Sequence, residues 1–250
     1  MSLLIVSDLH ISGADDPLYF SLLLILRERA VAGDIVVLAG DLFDLFIGNK
    51  PIFIQRYSDL FAALSEAGKK GVEIHYIEGN HDFLIASAFR GIIGLTVHSH
   101  DVNIEIEGKR FYLAHGDTVD SRDYAYLLMR AFFRSLWMKA WIGLTPGKYL
   151  DKIGHSMSRK SRRKKPVSSS SLPLHRREYL RRTYRSYAAE RLAQGYDFVI
   201  LGHCHDLDEM YFNIGDRLGQ YINVGYPRVH GSFLSWTPGD EKVQREKLPE

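Results

Sequence analysis

A single cysteine among 250 residues, Cys204, rules out an intramolecular disulfide framework and fits a reducing compartment. No stretch reaches the roughly 18 uninterrupted apolar residues that a membrane-spanning helix requires. Residues 1–8 are apolar but carry no basic residue before their acid, so neither a signal peptide nor a span is expected there. Acids are scarce in one region: between positions 152 and 185, twelve Lys or Arg stand against one acid, Glu178. The chain as a whole is only +2, so this local excess of about +11 leaves about −9 elsewhere, where carboxylates can serve as metal ligands or solvated surface. Internal repeats are absent. The 46% of hydrophobic residues is enough for one good-sized core with room for an inserted subdomain.

Five short polar motifs run along the chain: Asp8-Leu9-His10, Gly40-Asp41-Leu42-Phe43-Asp44, Gly79-Asn80-His81-Asp82, His115-Gly116-Asp117 and Gly202-His203-Cys204-His205. Each follows a short apolar run rich in β-branched or aromatic residues, which reads as a buried strand. The polar clusters therefore sit where strands end, and five such ends on one edge can meet at a point. Helical spacing occupies residues 18–32 and 52–70, giving a β-α-β-α-β opening with parallel pairing. Residues 97–107 alternate, turn at Gly108-Lys109 and return. Short strands split by Gly and Asp close the chain. Mixed parallel and antiparallel segments favour two packed sheets flanked by helices over one doubly wound sheet. Residues 120–193 differ, with helical spacing and crowded aromatics followed by a basic and then serine-rich run. They read as a largely helical insertion.

The motifs supply Asp8, His10, Asp41, Asn80, His115, His203 and His205, a mixture of carboxylate, amide oxygen and imidazole suited to hard or borderline divalent ions. No cysteine belongs to the set, which argues against a structural zinc site. Cys204 lies between two candidate ligands but points away in an extended segment, so it reads as packing. His75, His98, His100, His155, His175 and His230 read as surface or core residues. Asp44 is either a solvated carboxylate or a support for a ligand. The aromatic helix is either core, a channel for acyl chains or a membrane-facing surface. For the basic run, a solvated loop competes with binding of anionic phospholipid or a diphosphate. Nucleic acid is disfavoured because no stacking platform accompanies it.

In this order the five motifs resemble the calcineurin-like metallophosphoesterase superfamily, whose pattern is D-x-H, G-D-x-x-D, G-N-H-[DE], a histidine block and G-H-x-H. The resemblance implies an α+β fold, a four-layer α-β-β-α sandwich over residues 1–250 with a helical lid at 120–193. It also implies two divalent ions, Mn2+ first and Fe2+ or Zn2+ as alternatives. One ion would take Asp8, His10, Asp41 and His205, the other Asp41, Asn80, His115 and His203, with Asp41 bridging. Asn80 and His81 take the catalytic roles, His81 beside the leaving oxygen and oriented by a carboxylate.

Within the superfamily the chain is most similar to UDP-2,3-diacylglucosamine pyrophosphohydrolases of lipid A synthesis. The similarity rests on Gly40-Asp41-Leu42-Phe43-Asp44-Leu45-Phe46-Ile47-Gly48, on His115-Gly116-Asp117-Thr118, on Asp123, Tyr126 and Arg130, and on Gly231-Ser232. It implies hydrolysis of UDP-2,3-diacylglucosamine to UMP and 2,3-diacylglucosamine 1-phosphate, with substrate contacts from Asp123, Tyr126, Arg130, Arg159, Lys160 and Arg162. It further implies a UDP-linked lipid substrate, an anionic membrane surface as partner, no nucleic acid, and a cytoplasmic protein peripheral to the inner membrane. One position departs, because that group's third motif is G-N-R-D and His81 stands here. A phosphodiesterase or phosphatase for a soluble nucleotide and a non-catalytic metal-dependent scaffold remain as other readings.

Overall fold

Every residue of Leu3–Val6, Ile35–Leu38 and Phe198–Leu201 is buried. Strands with no solvent face have to lie between two layers, which is how parallel sheets occur. The computed structural model describes residues 1–153 and 172–250. Its strands are β1 (Leu3–Val6), β2 (Ile35–Leu38), β3 (Phe46–Ile47), β4 (Glu73–Ile77), β5 (Asp82–Phe83), β6 (Leu95–His98), β7 (Val102–Ile106), β8 (Lys109–Ala114), β9 (Phe198–Leu201), β10 (Glu209–Ile214), β11 (Arg217–Asn223), β12 (Ser232–Trp236) and β13 (Gln244–Lys247). One sheet has the order β13-β12-β1-β2-β4-β6, with β1, β2, β4 and β6 parallel. The other has the order β10-β11-β9-β8-β7, with β8, β9 and β11 parallel and a hairpin at each end.

Period-two alternation sorts the side chains into layers. Leu3, Ile5, Val37 and Ile77 of the first sheet meet Ile104, Phe111, Phe198 and Ile222 of the second, closed by Trp236. The opposite face of the first sheet (Leu4, Val6, Val36, Leu38, Tyr76) packs on Leu22, Leu26, Phe53, Tyr57, Leu60 and Leu64. These come from α1 (Pro17–Leu24), the π-helical turn Ile25–Arg29, α2 (Pro51–Arg56), α3 (Ser58–Lys69) and the junction of α2 and α3 at Tyr57. The outer face of the second sheet (Tyr112, Val199, Leu201, Tyr221) is covered by Tyr184, Ala188 and Leu192. The result is the four-layer α-β-β-α sandwich.

Three expectations change in detail. The helix expected at 18–32 is α1, capped by the Asp16 carboxylate and continued as the π-turn. The one expected at 52–70 is two helices, broken at Tyr57, whose buried ring packs tilted against Phe43 with centroids 4.2 Å apart. Residues 97–107 do not form one strand: β6 joins the first sheet and β7 the second, and the chain crosses between them.

Segment 120–193 also divides. Helices α4 (Tyr124–Phe133) and α5 (Leu136–Leu144), N-capped by Asp123 and Ser135, stand over the motif end of the sandwich. Helix α6 (Leu174–Ala193) instead supplies Tyr184, Ala188 and Leu192, so it is the outer layer of the second sheet rather than part of a lid. A short helix, α7 (Pro227–His230), precedes β12.

Candidate metal centre

The five motifs follow the carboxyl ends of β1, β2, β4, β8 and β9, so the two sheets bring them to one edge. There the backbone leaves ordinary geometry. Asp8, His10, Asp41, His203 and His205 all have positive φ, between 48° and 66°. Non-glycine residues persist in that region only where surrounding bonds over-determine them. Asp8 N–H donates to the Gly40 carbonyl (3.0 Å), His10 N–H to that of Asp41 (3.0 Å), and His203 N–H to the Asp8 carboxylate (3.0 Å). Gly79 and Gly202 are required by close approach. A Cβ on Gly79 would meet Asp41 Oδ1 at 2.2 Å, and one on Gly202 would meet Asp8 Oδ2 at 2.3 Å.

Asp82 binds the second motif to the third. Its Oδ1 accepts from the N–H groups of Asp41 (2.9 Å) and Gly79 (2.8 Å), and its Oδ2 from Leu42 N–H (2.7 Å) and the Tyr76 hydroxyl (2.7 Å). Burial, followed by the Asp41 charge, pushes this carboxyl up to about 7. All four donors nevertheless address an ionised carboxylate, and that keeps it charged.

Three overlapping sets of side chains converge closely enough to hold an ion: Asp8, His10 and His205; His10, Asp41 and His81; Asp41, His115 and His203. Asp41 lies between them, its Oδ2 3.8 Å from His10 Nε2 and 3.4 Å from His115 Nε2. Asn80 Oδ1 is 3.3 Å from His115 Nε2, and His205 Nε2 is 3.4 Å from Asp8 Oδ1. Burial disfavours the Asp41 carboxylate, but the surrounding His115, His81 and His10 rings hold it well below the usual carboxylate range. Asp8 is likewise held low, against burial, by His205 and His115.

Burial drives the His10 imidazole down to about 3 and that of His203 to about 4, so both rings are neutral at physiological pH and present lone pairs. For His115 burial is outweighed by the Asp41 carboxylate, which raises the ring to about 10. Its Nδ1 faces the Ala39 carbonyl at 3.1 Å and therefore carries a proton, leaving Nε2 as the nitrogen that could coordinate an ion. Ion binding at this ring would release its second proton. Two fully buried carboxylates, an amide oxygen and a group of imidazoles make a donor set that fits divalent ions.

His81 is gripped differently from the expectation of a carboxylate partner. Its Nδ1 donates to the Asp44 backbone carbonyl (2.8 Å), and its N–H to Asp41 Oδ1 (2.8 Å). The ring is T-shaped to His10, with centroids 4.9 Å apart. His205 stacks on Tyr226 with centroids 4.5 Å apart and planes at 6°, a support the motifs do not announce.

The expected substrate contacts separate. The Asp123 carboxylate accepts from Tyr126 N–H and so serves as the cap of α4. The Tyr126 hydroxyl (2.7 Å) and Arg130 Nε (2.5 Å) both reach Asp117 Oδ2, beside His115. Arg159, Lys160 and Arg162 lie outside the described residues. Part of the basic excess is already engaged: Arg177 and Arg181 pair with Asp206, and Arg185 with Asp208, just after the last motif. Burial pushes the Cys204 thiol up, and the side chain packs beside Tyr184 and Tyr221, consistent with a packing role.

A cleft lined by Asn80, Phe83, Tyr126, Met129, Arg130, Phe133 and Arg134 joins the centre to α4. Beyond it α4 and α5 present Leu128 (72% exposed), Trp137 (87%) and Leu144 (87%) outward. Among the described residues, no helix is long and apolar enough to cross a membrane.

The family model described as calcineurin-like phosphoesterase matches residues 1–207. The UDP-2,3-diacylglucosamine hydrolase of Photorhabdus laumondii is 29% identical over 208 residues, covering 82% of each chain. That of Aeromonas hydrophila is 28% identical over 254 residues, covering 99% of this chain and all of the other. Among solved structures, an archaeal phosphodiesterase superposes with a TM-score of 0.49 at 14% identity, covering 99% of this chain and 100% of its own.

Proposed function

The chain belongs to the calcineurin-like phosphoesterase family of metal-dependent phosphoester hydrolases, and from that premise we propose that it hydrolyses the pyrophosphate bond of UDP-2,3-diacylglucosamine, giving UMP and 2,3-diacylglucosamine 1-phosphate. The observation that carries this reading is the cleft shared by Asn80 and the aromatic lid. A phosphate at the centre leaves acyl chains lying along Phe83, Met129 and Phe133. Each buried CH₂ contributes about 0.8 kcal/mol, so a diacyl substrate gains where a soluble nucleotide does not. The names of the two relatives point to the same substrate class.

Two divalent ions, Mn2+ first, would be held by Asp8, His10, Asp41 and His205 and by Asp41, Asn80, His115 and His203, and when bound they supply charge neutralisation and an acidified water. Asp41 serves both sets. His81, its Nδ1–H committed to the Asp44 carbonyl, keeps Nε2 for the leaving UMP oxygen. Against burial, the His115 and His203 rings, followed by Arg130 and the Tyr126 hydroxyl, hold the Asp117 carboxyl low.

Trp137, Leu144 and Tyr149 are exposed, as are Lys139, Lys148 and Lys152, so this stretch of chain offers solvent both apolar and cationic side chains. That composition suits the anionic leaflet of a membrane from which a lipid substrate is drawn, and it fits a cytoplasmic protein peripheral to the inner membrane. The test is phosphorus NMR of products from UDP-2,3-diacylglucosamine with Mn2+ in oxygen-18 water. UMP and a lipid monophosphate are expected. Inertness toward the lipid, with brisk cleavage of a soluble nucleotide, would replace this reading with a nucleotide phosphodiesterase or phosphatase.

A further inference from the structure

Two arginines of the lid, one helical turn apart, each end on a carboxylate that belongs to a motif loop. Arg130 reaches Asp117 of the fourth motif, whereas Arg134 turns to Glu78, the residue before the third. Its Nη1 pairs with the Glu78 carboxylate and its Nη2 donates to the Gly79 carbonyl at 2.9 Å, while the guanidinium lies over the Phe83 ring at 5.7 Å. Glu78 is only 4% exposed, and its second oxygen accepts from Ile85 N–H at 2.8 Å. Among the described residues, Arg134 provides the salt bridge to this buried acid.

We propose that Arg134 is a positioning residue: by holding residues 78 and 79 it sets the loop that carries Asn80 and His81, so the lid shapes the metal centre as well as covering it. The loop is fixed from the core by Asp82 on Gly79 N–H and by Asp41 on His81 N–H. Those bonds restrain the far side of the turn. The Gly79 carbonyl belongs to the peptide leading into Asn80, and Arg134 is its partner from the lid. A planar, two-pronged guanidinium can hold a carboxylate and a carbonyl together in fixed geometry, which an ammonium cannot. Loosening a ligand loop by an ångström is enough to cost about a hundredfold in rate. One consequence is that removing the lid slows hydrolysis even of substrates too small to touch it.

The proposal rests on the dimetal reading of the site but not on the lipid substrate. The test compares wild type, Arg134→Ala, Arg134→Lys and, as a control, the exposed lid residue Arg122→Ala. Three readouts are taken: Mn2+ binding by calorimetry, amide hydrogen exchange across residues 78–85, and kcat and KM for bis(p-nitrophenyl) phosphate. Arg134→Ala is expected to exchange faster over 78–85, to weaken one of two Mn2+ sites by about 10–100-fold and to lower kcat by a similar factor with little change in KM. Arg134→Lys should fall in between, and Arg122→Ala should match wild type.

Wild-type exchange, Mn2+ affinity and kcat in Arg134→Ala would overturn the proposal. If Arg134→Ala does not fold, Arg134→Lys decides: a folded lysine variant with wild-type Mn2+ affinity and kcat overturns it equally. Wild-type protein that binds fewer than two Mn2+ would refute the dimetal reading instead, with exchange over 78–85 still reporting on Arg134.

Discussion

Replacing Asp82 by Asn keeps the shape of the side chain and changes what it can accept. Four donors converge on its two oxygens: Asp41 N–H and Gly79 N–H on Oδ1, Leu42 N–H and the Tyr76 hydroxyl on Oδ2. In the amide one oxygen keeps two of these partners, and the NH₂ is left facing the other two donors. Two buried donors without acceptors cost about 1–3 kcal/mol each, so the loss is roughly 2–6 kcal/mol. For a chain of this size each kcal/mol moves Tm by about 2–4 °C, which puts the expected drop on the order of 10 °C. Because Leu42 N–H and Asp41 N–H both hang on this carboxylate, metal affinity should fall with stability. The assay is a thermal melt at pH 7.5, with and without Mn2+, alongside Mn2+ binding. If Asp82 were protonated at neutral pH, as burial beside Asp41 would favour, Asn would be almost isosteric with it. A Tm within 2 °C of wild type would therefore refute the argument that four donors keep the carboxylate charged.

Asp41→Ala removes the one carboxylate lying between both ion sets, so Mn2+ occupancy and nearly all turnover should be lost while the circular dichroism spectrum is kept. A folded variant loaded with two Mn2+ and turning over normally would sink the two-ion arrangement. His81→Ala should retain Mn2+ yet lose on the order of 10²–10⁴-fold in kcat if the ring serves the leaving oxygen, toward the low end because UMP leaves readily. Parallel loss of Mn2+ would make His81 a ligand, a role its place near His10 and Asp41 permits. Asp16 caps α1 and pairs with Arg228 at 2.7 Å; burial raises its carboxyl, but Arg228 and the Ser12 and Leu18 N–H groups outweigh that and lower it below 3.8. Its stabilisation is thus full above the unfolded value and is lost as pH falls through the lower folded one. Asn is also a good cap, so Asp16→Asn should lower Tm at neutral pH and flatten its fall below pH 4, and parallel Tm–pH curves would rule this out.

Much of the centre is legible in the sequence. Strand ends carrying Asp-x-His or Gly-Asn-His-Asp are local objects: residue type and spacing state both the apolar run and the donors that follow it. For that reason Asp8, His10, Asp41, Asn80, His115, His203 and His205 could be named from spacing, and the resemblance assigned them to two ions. The divided fate of residues 120–193 was not legible, because helical periodicity is the same whether a helix covers a sheet, as α6 does with Tyr184, Ala188 and Leu192, or stands over a cleft, as α4 does. Nor could spacing show that the His81 ring is held by the Asp44 carbonyl, since every residue has a backbone carbonyl.

The charges tell the same story. A dozen basic residues between 152 and 185 read as one patch, yet Arg177, Arg181 and Arg185 are taken up by Asp206 and Asp208 once α6 lies on the second sheet. Arg134 finds Glu78 across 56 positions of chain, and Arg130 finds Asp117. Ligand types and strand ends are set by neighbours in sequence, because periodicity and donor chemistry act over a few residues. Which arginine neutralises which buried acid was decided only by tertiary structure, because the energy of a charge depends on what surrounds it in space, and packing alone brings those partners together.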